Sequence, residues 1–194
     1  SKGVMTLAGY LAGKFAGLHP FAMNASLTFE QTYSEIEGDS AAVAELTAIL
    51  SSLADLPIRQ YLAVTGSVNQ LGEVQPIGGV NEKIEGFLES CSRRGLTGKQ
   101  GVIIPARNTK HLALRRDVVE AVESGQFTVY AVNTLEEAIE LLTGVAAGER
   151  GIDGEYPSDT VFGRAAQRLA EMAQAVAEWG EGEERPGGRI ITEP

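Results

Sequence analysis

Two short runs hold the residues best suited to chemistry: Glu37-Gly38-Asp39-Ser40-Ala41-Ala42 and Pro76-Ile77-Gly78-Gly79-Val80-Asn81-Glu82-Lys83. Ser40 and Lys83 stand 43 positions apart. A serine hydroxyl is a poor nucleophile until a base removes its proton, and a partly buried lysine can be that base. Ser40 also opens a stretch with helical spacing. A helix start offers free backbone N–H groups and the positive end of the dipole. N–H groups near Ser40 and Ala41 could therefore hold a tetrahedral oxyanion. The small residues Gly38, Ala41 and Ala42 would let a peptide backbone approach. The plain alternative is that Asp39 or Ser40 only caps the helix.

Lys83 admits two readings as well. The positions three and four residues away are Gly79, Val80, Gly86 and Phe87, so no acid on its own helix pairs with it. Its stem lies beside Phe87, and its amine either points inward or reaches out to water. Burial disfavours the charged amine, and the neutral amine is what a general base requires. Thr65, at a strand end before Gly66, is either an ordinary β-branched strand residue or a hydroxyl that orients the amine. Cys91 falls on an apolar helical stripe and suits the core better than a nucleophile's role.

Other chemistries find less support. His19 and His111 have no partners at metal-ligand spacing, and no serine sits in a G-x-S-x-G context. Gly9-Tyr10-Leu11-Ala12-Gly13-Lys14-Phe15 is one residue short of a phosphate loop and ends in the wrong side chain. No cofactor or metal is expected in this chain. The formal net charge of −10 argues against nucleic acid as a partner. Apolar runs are too short to span a bilayer, and the single cysteine excludes a disulfide framework and suits a cytoplasmic setting. Position 1 is Ser rather than Met, and no signal-peptide pattern precedes Gly9, which reads as a chain taken from a longer polypeptide.

The elements that must position these residues follow from periodicity. A short helix is expected over 4–16, a strand over 21–30 and a loop over 31–38. Val43, Leu46, Leu50 and Leu53 make one face of a helix over 40–54, stopped by Pro57. A strand over 59–66 leads into an extended segment over 67–77 with a turn at Asn69-Gln70. Asn81 is expected to cap a helix over 82–92, where Ile84, Phe87, Leu88 and Cys91 recur on one side. Next come a buried strand over 101–105, a helix over 112–124 and a strand over 127–132. A helix capped by Thr134 then covers 135–143. Strands and helices intermix without strict βαβ regularity, so the fold class is α+β with mixed pairing. Residues 1–144 read as the domain and 145–157 as a glycine-rich linker. A helix near 159–179 follows, its stripe of Phe162, Ala165, Ala166, Leu169, Met172, Ala173 and Val176 suited to packing back on the domain. Residues 180–194 have a disordered composition.

The run Glu37 to Ala42, the run Val64-Thr65-Gly66-Ser67 through Lys83, and Gly101-Val102-Ile103-Ile104-Pro105 together resemble the proteolytic domain of the Lon family. The wording is most similar to the bacterial Lon-related, Lon-B-like subfamily, and the resemblance covers about residues 3–143. It implies a serine–lysine dyad, with Ser40 as nucleophile, Lys83 as base and Thr65 as the threonine near the lysine. Glu37, Asp39 and Ala41 come with it as supporting positions. It also implies an α+β fold of the family's own kind, a six-membered ring, and an AAA+ ATPase that feeds unfolded polypeptide. That ATPase is missing from this stretch, so ATP is expected only there. Many Lon proteins have Asp-Gly-Pro-Ser where this chain has Glu37-Gly38-Asp39-Ser40, and Asp39 could reach the lysine amine and hold it protonated. The alternatives are a non-catalytic ring-forming or docking module, and a peptidase that needs no ATPase.

Overall fold

The computed structural model describes residues 2–17, 23–28 and 39–182. Its elements are α1 (Lys2–Phe15), α2 (Ala42–Ala54), β1 (Leu62–Val64), β2 (Ser67–Val68), β3 (Val74–Gln75) and α3 (Val80–Ser92). They continue with β4 (Gly101–Pro105), a 3-10 turn (Ala106–His111), α4 (Arg116–Glu123), β5 (Thr128–Val132), α5 (Leu135–Thr143) and α6 (Val161–Gly182). The fold is α+β. Pairing divides by place. β1, β4 and β5 form a parallel sheet in the order β1-β4-β5, while β2 and β3 form a separate antiparallel ribbon.

β4 is the central strand and is buried along its whole length. Side chains of a strand alternate between faces, and this strand uses both. Val102 and Ile104 pack with Ile84 and Leu88 of α3, Val118 of α4, and Phe127. Ile103 points the other way, into the larger core of α1, α2, α5 and α6. A strand covered on both sides reads as a continuous apolar run, which is what Val102-Ile103-Ile104 is.

Helix α2 lies in that larger core with Val43, Leu46 and Leu50 fully buried. It ends at Asp55, whose left-handed backbone (φ 50°, ψ 50°) sends its N–H back to the Ser51 carbonyl. The stop is thus two residues ahead of Pro57. Helix α6 packs against α2 with its first two turns, burying Val161, Phe162, Ala165 and Leu169. Its apolar stripe runs on into water, where Val176 and Trp179 are exposed. Residues 145–160 contain no helix or strand, yet Ala147 is buried and its N–H donates to Glu140 Oε1 at 2.8 Å.

Four expected elements differ. The strand over 21–30 is absent from its described part, 23–28, where nothing pairs with it in a ladder. The strand over 59–66 shortens to Leu62–Val64. Asn81 does not cap α3, because that helix begins two residues earlier than expected, at Val80, from Gly79 in the left-handed region (φ 66°). The helix over 112–124 begins only at Arg116. Ahead of it, the N–H groups of Ala113 and Arg115 donate to the side chains of Asn81 and Glu85. Backbone donors held by side chains in this way compete with a helical ladder. Of the tail expected over 180–194, residues 180–182 continue α6, and the rest of it, like the loop expected over 31–38, lies outside the described residues.

Candidate active site

Ser40 sits in the turn that enters α2, Thr65 directly follows β1, and Lys83 stands in the first turn of α3. The sheet brings them together. Thr65 N–H donates to the Ile103 carbonyl at 3.0 Å, extending the β1–β4 register by one residue. From there the chain is zipped to the entry of α2. The Gly66 N–H donates to the Ser40 carbonyl at 2.8 Å, and the Val43 N–H donates to the Gly66 carbonyl at 3.1 Å. Thr65 Oγ1 donates to the same Ser40 carbonyl at 3.2 Å. Space is short at Gly66. A Cβ on it would lie 3.0 Å from Val43 Cγ2 and 3.1 Å from Val74 Cγ1.

Lys83 reaches this corner from the other side. Its Nζ lies 2.9 Å from Ser40 Oγ and 3.2 Å from Thr65 Oγ1. Both are hydrogen-bond distances. An ammonium would donate to both hydroxyls, whereas a neutral amine could accept the serine's proton. The Ser40 side chain therefore does not cap α2. The capping position is Ala41, and no side chain caps the helix there. Among the described residues nothing accepts from the N–H groups of Ser40 and Ala41, while those of Ala42 and Val43 are taken by Asp39 and Gly66 carbonyls.

Of the two readings of Lys83, the exposed one holds: the residues that α3 buries are Val80, Ile84 and Leu88. Asp39 is beside the corner but does not hold the lysine. Its Oδ2 accepts from Ser67 Oγ at 2.7 Å, and among the described residues no ion pair joins it to Lys83. Glu37 and His19 lie outside the described residues. His111 is exposed at the end of the 3-10 turn. Cys91 is half-buried on α3, and burial pushes its thiol up, away from thiolate chemistry. Among the described residues no cluster of three His, Cys, Asp or Glu could hold a metal, and no helix is long and apolar enough to cross a membrane.

Residues 34–144 match the sequence profile of the Lon protease (S16) C-terminal proteolytic domain. The chain belongs to the Lon protease family. It is 47% identical over 174 residues to a putative Lon protease homolog of Escherichia coli (strain K12), a stretch that is 90% of this chain and 29% of that protein. A putative Lon protease homolog of Haemophilus influenzae is 49% identical over 143 residues, 74% of this chain and 24% of that protein. An archaeal Lon protease of Thermococcus kodakarensis is 42% identical over 113 residues, 58% of this chain and 16% of that protein. The chain spans less than a third of the length of these relatives.

In this Lon proteolytic domain three residues that shape the corner escaped sequence reasoning. Gly66 and Ser67 follow Thr65 directly, and the hydroxyl–glycine–hydroxyl run was the available signal. Asn108 carried none. It is buried in the 3-10 turn, accepts from the Ile77 N–H at 3.0 Å and donates Nδ2–H to the Ile77 carbonyl at 2.9 Å. This paired bond fixes the loop that leads into α3, and with it the start of the helix carrying Lys83.

Proposed function

We propose that this chain is the proteolytic part of a serine endopeptidase in which Ser40 is the nucleophile and Lys83 its base. The observation that carries the proposal is the 2.9 Å approach of Lys83 Nζ to Ser40 Oγ, made between the turn that enters α2 and the first turn of α3. Lys83, as the neutral amine, takes the Ser40 proton while Oγ attacks the scissile carbonyl. The N–H groups of Ser40 and Ala41 face the developing oxyanion. Lys83 then gives the proton to the leaving amine, and water hydrolyses the acyl-enzyme. Thr65 steers the amine by its own hydroxyl, 3.2 Å away. Lys83 is exposed, so the desolvation that disfavours a charged amine comes from substrate laid over the corner.

The substrate is unfolded polypeptide, and no cofactor acts at this site. The family resemblance supplies the wider setting. A ring of six such domains works in the cytoplasm below AAA+ ATPase domains that unfold and feed substrate, with ATP used only there. A docking module would not need a lysine amine in hydrogen-bond contact with a serine at a helix entry.

Cleavage of a fluorogenic peptide and an unfolded protein, without ATP and from about pH 6 to about pH 10, tests the proposal in wild type, S40A and K83A. Turnover in wild type alone, rising with pH, is the expected result. Labelling of Ser40 by a serine-directed reagent or a boronate provides a second readout where the isolated domain turns over slowly. Equal labelling of wild type and K83A would overturn the dyad.

A further inference from the structure

Asp39 directly precedes Ser40, and a single peptide unit separates their Cα atoms by about 3.8 Å. Rotation about its own side-chain torsions would carry its carboxylate toward the Lys83 amine. Something holds it elsewhere. Ser67, at the first position of β2, is buried to 6% exposure, yet its hydroxyl is not turned to the ribbon's backbone. It donates to Asp39 Oδ2 at 2.7 Å, a short bond to a charged acceptor and so one of the stronger kind.

Among the described residues, the other acids on the surrounding elements bond elsewhere or make no ion pair with the amine. Glu73 on the ribbon accepts from Asn69, and Glu85 on α3 accepts from the Arg115 N–H. Glu89 pairs with Arg93. Glu82 on α3 and Glu45 on α2 make no ion pair with Lys83 among the described residues, and the ionisable side chains of the 3-10 turn, Arg107, Lys110 and His111, are bases that bring no carboxylate to it. The amine is thus shared between two neutral hydroxyls, those of Ser40 and Thr65. A carboxylate at the third position would favour the charged form, which cannot accept a proton.

We propose that Ser67 is a positioning residue that keeps the Asp39 carboxylate off Lys83 and so leaves the amine free to serve Ser40. The proposal rests on the serine–lysine reading and adds to it a device that sets how much of the enzyme is competent. The ribbon β2–β3 thereby becomes part of the catalytic apparatus, because its first hydroxyl decides where the neighbouring acid points.

The test uses the 194-residue chain as wild type, S67A, D39N and the double variant S67A/D39N. Two readouts run side by side. One is peptide cleavage against pH. The other is acylation of Lys83 by a small N-hydroxysuccinimide ester, mapped by mass spectrometry, which reports the free amine whether or not the domain turns over. S67A is expected to lose about tenfold in both at neutral pH, with the gap closing as the medium becomes alkaline. S67A/D39N is expected to return to the level of D39N alone, since the liberated acid is gone. A loss in S67A that is equal at every pH, no loss at all, or a double variant that stays as low as S67A would overturn the proposal. If the wild type neither cleaves nor labels at Ser40, the peptidase reading has failed, and the Lys83 acylation ratios still decide the role of Ser67.

Discussion

Replacing Gly66 by Ala probes the corner at its tightest point. Gly66 does not occupy a left-handed backbone, so alanine meets no conformational barrier there. Its methyl group meets two valines instead, Val43 Cγ2 at 3.0 Å and Val74 Cγ1 at 3.1 Å. Val43 is fully buried and Val74 nearly so, at 0% and 4% exposure, so each must give by a few tenths of an ångström inside packed surroundings. Overpacking of this kind costs about 1–3 kcal/mol. Restricting the unfolded chain by removing a glycine returns about 0.4–1 kcal/mol. The net loss should be about 1–2 kcal/mol, readable as a lower urea midpoint with unchanged slope. The effect on function should be larger than the effect on stability. Gly66 contacts Ser40 through one hydrogen bond and Val43 through another, so a shift of its backbone moves Ser40 relative to Lys83. A displacement near 1 Å in such a site costs about 100-fold. Labelling of Ser40 by a serine-directed reagent should therefore fall by more than tenfold in G66A and recover in part in G66A/V43A, where space is restored. A G66A protein with wild-type labelling and an unchanged urea midpoint would refute the claim that this contact sets the geometry of the corner.

Asn108→Ala should cost about 2–4 kcal/mol in urea denaturation, because it leaves both Ile77 backbone groups without their partner. It should also slow labelling of Ser40, through the start of α3. Tyr10 is buried, and its hydroxyl donates to Glu136 at 3.1 Å; burial first, and then the Glu136 charge, push its ionisation well above the ordinary tyrosine range. Ultraviolet titration should show this one of the five tyrosines silent until the fold opens. The folded state holds that proton more tightly, so its contribution to stability is complete below about pH 10 and is lost as pH rises further. On α6, Leu169→Ala should cost about 2–4 kcal/mol, while Trp179→Ala should cost under about 0.5 kcal/mol, since Leu169 is buried and Trp179 is 81% exposed. Thermal melts of the two variants compare them directly.

Much of this protein could be read from local patterns, because those patterns record local physics. The face of Val43, Leu46 and Leu50 and the run Val102-Ile103-Ile104 both describe burial, and burial is periodic along the chain. Thr134 followed three residues later by Glu137 describes a helix start, and the Glu137 N–H does donate to Thr134 Oγ1. Ser40, Lys83 and Thr65 were legible as candidates from residue type and from the absence of acids around Lys83 on its own helix. Their meeting came only through the family resemblance and not from local pattern. It depends on parallel pairing of β1 with β4, a contact between segments distant in sequence that no window of local propensity contains.

Where local signals misled, tertiary partners had claimed the groups involved. Asn81 looks like a cap, but its side chain serves Ala113, and Gly79 starts the helix. Asp39 looks poised for Lys83, but a hydroxyl on a ribbon formed 28 residues later takes it. For Lys83 the neighbours in sequence left burial and exposure both open, and the tertiary structure leaves it exposed. Sequence alone determined which side chains are available, since chemistry belongs to residue types and burial to their spacing. The tertiary structure alone decided which acid, amine and hydroxyl meet, because a hydrogen bond is set by a distance of about 3 Å and that distance is known only once the sheet has paired.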